Sequence, residues 1–307
     1  MAKVFIIGGG AAGLTAAIKA SKNHDVTVFE RNNKVGKKIL LTGNGKCNYW
    51  NDNQDISFYH SSSDIKTIIN QMNFVKAHSF LDSIGIVPFN KNGYYYPNSQ
   101  QAISVVNALY DEAKNNGVRF IHEEVIGATK EDGTFKVITN EGRYTCDFLI
   151  VATGGKAAPK TGSDGFGYKL AEKFGHSLVK PLPALVGLEV EGNLKDIAGV
   201  RFNGEVRLIV NGEEVSKEVG EVQINDYGFS GIPIMQLSSI AVRKLYSKDD
   251  VNISVNFLPN ISEDILSLRS FLKVQGRHLN NKSISKIYHV NINNHWFSII
   301  CKRPFKI

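Results

Sequence analysis

The apolar positions of the first thirty residues fall in the order strand, turn, helix, strand. Lys3 to Ile7 (KVFII) is a β-branched run without alternation, which predicts a central parallel strand buried on both faces. Gly8-Gly9-Gly10-Ala11-Ala12-Gly13 follows at once, Leu14 to Ala20 reads as a helix, and Asp25 to Phe29 (DVTVF) reads as the second strand. Further on, Val118 to Val125 and the run CDFLIVATGG from Cys146 to Gly155 predict strands, and Ala102 to Asn115 and Tyr168 to Phe174 predict helices. From about Leu188 the pattern changes to short alternating strands: Gly187–Glu191, Glu205–Val210, Glu213–Glu218, Glu221–Asn225 and Val251–Asn256, with Asn211-Gly212 as a hairpin turn. The expectation is an α/β chain with a mainly antiparallel β domain, an open sheet or a small barrel, after its first half.

Each glycine in the first turn has a mechanical role in this βαβ setting. Gly8 makes the tight turn, Gly10 lets the backbone approach a pyrophosphate, and Gly13 packs helix closely on strand. The phosphates are then expected over Ala11 and Ala12, where free N–H groups and the helix dipole favour an anion. Glu30 ends the second strand where an acid can hydrogen-bond a ribose. The acid argues for FAD or NAD over NADP, while the neighbouring Arg31 leaves a 2′-phosphate open.

Composition narrows the partners. The net charge of +7 invites a nucleic-acid reading, but six of the 36 Lys and Arg residues lie in 277–307, which contains no Asp or Glu, so the rest is close to neutral. The expected partner is a small-molecule substrate, with no nucleic acid and no membrane. No apolar run has the length of a membrane span, and no basic region or cleavage site precedes Lys3, so a cytoplasmic location is expected. Cys47, Cys146 and Cys301 are far apart and odd in number, which offers neither a disulfide framework nor a metal-type pair, and the eight histidines are scattered. No metal is expected.

FAD and NAD share the half-site at the first turn, and the next segment separates them. Gly36-Lys37-Lys38-Ile39-Leu40-Leu41-Thr42-Gly43-Asn44-Gly45-Lys46-Cys47-Asn48 is a glycine-rich loop where a simple NAD domain would continue with a helix. It resembles the G(R/K)K-(I/L)-L-x-(S/T)-G-x-G-(R/K)-C-N segment of the HI0933-like (BaiN/YhiN-type) family of flavoprotein oxidoreductases. Ala152-Thr153-Gly154 is similar to the ATG signature of two-domain FAD proteins, and Pro159 to Tyr168 is similar to the continuation of the family. Pro97-Asn98-Ser99 and the block from Gly220 through Pro233 add two more ordered likenesses.

The resemblance implies a Rossmann-type FAD-binding domain, of the two-dinucleotide-binding-domain flavoprotein kind, with an inserted antiparallel β domain. The expected organisation is 1–186 for FAD binding, 187–276 for an incomplete β-rich insertion, and 277–307 for an atypical, out-of-frame tail. It implies that FAD is held by Gly8, Gly10, Ala11, Ala12, Gly13, Glu30, Arg31, Lys37, Lys38, Thr42, Gly43, Gly45, Cys47 and Asn48, with Val125 at the adenine and Ala152, Thr153 and Gly154 beneath the flavin. The implied activity is flavin-dependent hydride transfer to an unidentified small organic substrate. NAD(P)H would bind transiently, since Gly162 to Gly167 has the order GxxGxG and opens no second Rossmann unit. The alternatives are an inactive truncated remnant and a simple NAD-dependent dehydrogenase.

Among catalytic candidates, Cys47 is the one side chain able to exchange electrons with a flavin, with Lys46 or Lys38 available to lower its pKa. The competing reading is loop packing, because a dithiol partner is missing nearby. Lys37 and Lys38 either neutralise phosphates or form a solvated basic loop. Ser99 is expected to cap the helix at Ala102, Asp164 to cap the helix at Tyr168, and His176 to end that helix.

Overall fold

The computed structural model describes residues 1–59, 64–71, 73–192, 194–257 and 259, and the backbone of 296–304. It separates into two compact units, Met1–Val179 and Lys180–Ile307.

In the first unit, β1 (Lys3–Ile7) is followed by α1 (Ala11–Ala20) and β2 (Asp25–Phe29). A glycine-rich 3-10 turn (Ile39–Gly45), the two-residue β3 (Trp50–Asn51), α2 (Ile65–Gln71) and α3 (Phe74–Ser83) come next. The hairpin β4 (Pro88–Lys91) and β5 (Tyr94–Pro97) leads to α4 (Ala102–Asn115) and β6 (Arg119–Ile121). A meander of β7 (Val125–Glu131), β8 (Thr134–Thr139) and β9 (Arg143–Cys146) then leads into β10 (Phe148–Val151) and α5 (Phe166–Lys173). The main sheet has the parallel order β10-β1-β2-β6.

Period-two alternation sorts the side chains of β1 to the two faces of that sheet. Val4 and Ile6 join a core with Val26, Val28, Leu14, Ala17, Val105 and Leu109, so this face is covered by α1 and α4. Phe5 and Ile7 join Phe29, Val125, Ala128, Val137 and Leu170, so the opposite face is covered by the meander and α5. An unalternating KVFII run is what burial on both faces requires. The segment expected as one strand over Val118–Val125 is two: pairing with β2 stops at Ile121, and Val125 opens β7 in a different sheet.

The second unit contains β11 (Leu188–Val190), β12 (Arg201–Val210), β13 (Glu213–Asn225), β14 (Gly228–Gly231), α6 (Ile232–Tyr246), β15 (Val251–Asn256) and β16 (Trp296–Pro304). They close a barrel in the order β11-β14-β13-β12-β15-β16, filled by Leu188, Leu208, Ile224, Phe229, Leu237 and Ile253 among others. Glu213–Glu218 and Glu221–Asn225, expected as separate strands, form the single strand β13. Gly220 passes through it in a nearly extended conformation and pairs with Gly204, so a glycine that reads as a break in the sequence is a ladder residue. Asn211 and Gly212 both have positive φ, the geometry a two-residue hairpin demands. Of the tail, 277–295 and 305–307 lie outside the described residues, and 296–304 pair with β11 and β15. Among the described residues no helix is long and apolar enough to cross a membrane.

Candidate functional site

The first turn is built around its own backbone. Gly8 donates to the Phe29 carbonyl and Ala152 to that of Ile7, tying the ends of β1, β2 and β10 together. A methyl on Gly13 would stand 1.9 Å from the Gly8 carbonyl oxygen, and one on Gly8 would stand 2.5 Å from the Ala152 carbonyl oxygen. A methyl on Gly10, the residue that caps α1, would meet nothing within 4 Å. Gly8 and Gly13 are therefore needed for packing, and Gly10 faces open space at the positive end of a helix dipole.

That space is a cavity of about 1370 Å³, above the ~300–1,000 Å³ usual for a small-molecule site. It is lined by Gly8, Gly10, Ala11, Ala12, Glu30, Arg31, Lys37, Lys38, Thr42, Cys47, Asn48, Val125, Ala152, Thr153 and Gly154. Gly13, Gly43 and Gly45 do not line it. Gly13 lies under the turn, and Gly43 is pressed on Asn48, whose backbone nitrogen would be 2.6 Å from an added methyl.

Glu30 is buried and already engaged. One carboxylate oxygen accepts from Gly9 N–H at 2.9 Å, and the other accepts from the Asn32 backbone N–H at 2.9 Å and side-chain amide at 2.7 Å. A carboxylate has about four lone-pair positions, so one remains for a ligand hydroxyl. Arg31, which left a 2′-phosphate open, is committed elsewhere. It pairs with Asp164 at 2.9 Å and Glu124 at 3.2 Å and donates to the Gly162 carbonyl. The Asp164 hydrogen bond holds the guanidinium above its ordinary pKa, and Arg31 in turn holds the Asp164 carboxyl below its own.

Asp164 also accepts from Phe166 N–H, so α5 begins two residues earlier than its apolar pattern indicates. Because its pKa is depressed in the fold, its stabilisation is present above the ordinary value of 3.8 and is lost as pH falls through the folded value. Asp164→Asn is expected to cost less than about 1 kcal/mol at neutral pH, as for an exposed pair. Thermal unfolding of variant and parent will begin to converge as the pH falls past 3.8 and will coincide below the folded value.

The loop before β3 is pinned from within. Thr42 Oγ donates to Ile39 O at 2.7 Å, and the Asn48 amide donates to Trp50 O and Tyr95 O. Cys47 is 5 % exposed and has left-handed φ. Burial pushes its thiol up, with a smaller opposing effect from Thr42, so neither Lys46 nor Lys38 produces the lowered pKa expected of a redox thiol. Lys46 instead lies 3.4 Å from Gln100. Cys146 is in the core on the other face of the sheet and is pushed up to about 11. Folded Cys47 will therefore alkylate with iodoacetamide far more slowly at pH 7 than the urea-unfolded chain, as read by mass spectrometry. Complete labelling of the folded protein within minutes would sink that assignment.

Lys38 is pushed below its ordinary pKa by burial. Lys37 reaches the Asn32 side chain at 3.4 Å. One other expectation is corrected by geometry. Ser99 is not the cap of α4, because Gln101 holds that position; Ser99 Oγ accepts from Gln101 N–H and meets Ser104 Oγ at 2.7 Å. His176 lies beyond the end of α5, where Gly175 turns the chain at positive φ and the His176 N–H closes on Ala171 O. Asn32, Glu124 and Ser163 line the cavity without having been picked out from the sequence. Among the described residues, no cluster of ligating side chains could hold a metal.

Residues 2–288 match the HI0933-like protein Rossmann domain. The chain belongs to the HI0933-like family. The match extends past Gly276, into the segment expected to be an atypical tail. The chain is 37% identical over 268 residues to a 3-dehydro-bile acid delta(4,6)-reductase of Clostridium scindens, covering 85% of this chain and 66% of that protein. It is 26% identical over 294 residues to a ribosomal RNA dihydrouridine synthase of Escherichia coli, covering 94% and 70%. It thus spans about two thirds of the length of these curated relatives. Among solved structures, Thermovibrio ammonificans THI4 superposes with a TM-score of 0.37 at 15% identity, covering 64% of this chain and 71% of that one.

Proposed function

We propose that this chain binds FAD in the cavity at the first turn and is an oxidoreductase that saturates a carbon–carbon double bond conjugated to a carbonyl. The observation that carries the cofactor is the open space at Gly10, beside a buried acid with one acceptor position left. Gly10, Ala11 and Ala12 would hold the pyrophosphate, Glu30 a ribose, and the Thr42–Asn48 loop with Ala152 to Gly154 the flavin side. The commitment of Arg31 to Asp164 and Glu124 favours an adenosine without a 2′-phosphate. Bound FAD, reduced by a transiently bound NAD(P)H, would supply the hydride. This chain supplies the cavity and placement; no cysteine thiolate is required.

The reaction class draws on what the two relatives' names have in common. A delta(4,6)-reductase of a 3-oxo compound and an enzyme that makes dihydrouridine each saturate a double bond conjugated to a carbonyl. A second reading, uridine in RNA as substrate, rests on the second name and reopens the nucleic-acid partner that the charge distribution disfavoured.

The test is to mix the purified full chain with FAD, remove free cofactor and record the spectrum. One FAD per chain, absorbing near ~450 nm and bleached by NADH or NADPH without oxygen, is the expected result. A colourless folded protein that takes up NAD would overturn the flavin reading in favour of a nicotinamide dehydrogenase. Bound FAD that no donor reduces would make the chain a non-catalytic binder.

A further inference from the structure

Five cations among the described residues line the cavity: Lys19, Arg31, Lys37, Lys38 and Lys76. Four of them are met. Arg31 is clamped by Asp164 and Glu124. Lys37 reaches the Asn32 side chain at 3.4 Å, Lys76 Nζ donates to the Gln71 carbonyl at 2.8 Å, and Lys19 Nζ lies 5.3 Å from the Phe80 ring centroid. The Lys38 ammonium has no hydrogen bond, ion pair or ring contact among the described residues.

The carboxylates of the cavity are engaged as well, and none of them with Lys38. Glu30 is held by Gly9 and Asn32, Glu123 accepts from Tyr144 and Thr139, and Glu124 and Asp164 hold Arg31. Burial alone pulls Lys38 below its ordinary pKa, as it does an ammonium that loses water and gains no acid in return. Such a charge disfavours the empty cavity, and an anionic ligand relieves it.

The place of the ammonium separates the parts of that ligand. A methyl on Gly154 would stand 3.7 Å from Lys38 Nζ and 2.7 Å from Ser163 Oγ. In the proposed reading Ala152 to Gly154 hold the flavin side, and the pyrophosphate has the free N–H groups at the start of α1.

We infer that Lys38 is the counter-charge of the reduced flavin, the group of this chain that sets how readily bound FAD accepts a hydride. This rests on the flavin reading. Hydride leaves NAD(P)H as NAD(P)+ and brings two electrons and one proton to the ring, which gains one negative charge. The Lys38 ammonium offsets that charge, one of the levers by which a protein tunes a flavin. The charge is gone when the hydride passes to the conjugated bond of the substrate, whose second hydrogen comes from solvent as a proton.

The experiment loads the full chain with FAD and compares the parent with Lys38→Met, Lys38→Arg and Lys37→Met. The readouts are the reduction potential of the flavin, its affinity for sulfite and thermal unfolding. Sulfite adds to oxidised flavin as an anion and bleaches it, so its affinity reports positive charge at the ring without turnover. Lys38→Met should weaken sulfite at least about tenfold and lower the potential by about 30 mV, the same tenfold in a two-electron couple. Lys38→Arg keeps the charge and should stay close to the parent, as should Lys37→Met, whose ammonium lies at Asn32. The Tm should hold in Lys38→Met, because the ammonium makes no contact to lose.

FAD bound by Lys38→Met at the potential and sulfite affinity of the parent would overturn the inference. Loss of FAD from Lys38→Met at an unchanged Tm would overturn it by giving the ammonium to the phosphates, and a marked fall in Tm by making it a contact of the fold. All three leave the flavin reading standing. A parent that takes up no FAD would sink that reading and this role together.

Discussion

Adding a side chain at Gly10 and at Gly13 is expected to produce two different failures. At Gly13 the new methyl would lie 1.9 Å from the Gly8 carbonyl oxygen, part of the turn itself, so helix and strand must separate. Gly13→Ala should lose roughly 1–3 kcal/mol or more, as overpacking of a close helix–strand contact does, and should lose FAD binding with it. At Gly10 the backbone has φ −83° and ψ −172°, which any L-residue adopts, and an added Cβ meets no protein atom within 4 Å. Gly10→Ala should therefore unfold within a few degrees of the parent's Tm, the loss of a glycine N-cap being small, while its FAD affinity falls at least about tenfold, because the methyl stands where the pyrophosphate approaches. FAD titration beside thermal unfolding separates the two. Parent-like FAD affinity in Gly10→Ala would remove the phosphates from this turn.

Glu30→Ala carries the second large effect, on both stability and affinity. It strips the acceptor from Gly9 N–H and from both Asn32 donors. Gly9 N–H is in a buried contact, and an orphaned donor there costs about 1–3 kcal/mol. The ribose loses a charged acceptor at the same time, so FAD affinity should drop about ten- to a hundredfold, the worth of a hydrogen bond to a charged group. Glu30→Gln should fall between, since its amide oxygen can serve only one side. NADP should not become the preferred ligand in either variant, because Arg31 stays held by Asp164 and Glu124. A rise in NADP affinity would show that this clamp opens.

The parts of the site legible in the sequence are those in which local geometry and long-range packing make the same demand. KVFII had to be buried on both faces, and it is the strand between α1 and the meander. Gly8 and Gly13 had to be glycine for closeness, and backbone oxygens stand where their methyls would go. Glu30 was recognisable by its place at the end of β2. Other readings stayed open or failed where a residue's surroundings come from distant chain. Cys47 beside Lys46 left an activated thiol and loop packing both open, and burial in the apolar core behind α4, which pushes the thiol up, favours packing. Gly220 reads as a break and is a ladder residue because Gly204 lies opposite.

By itself, the sequence determined the βαβ unit, the glycine turn, the buried acid and the family. These depend on periodicity and on steric limits that act within some thirty residues. Only the tertiary structure decided that Arg31 is taken by Asp164 and Glu124, 133 and 93 residues away, and so is not spare for a phosphate. It alone chose a closed barrel over an open antiparallel sheet. It alone brought α3 alongside α1, where Lys19 Nζ lies 5.3 Å from the Phe80 ring. The reason is common to all three: pairing of charges, closure of a sheet and packing of one helix against another depend on groups far apart in the chain, and no local pattern records their meeting.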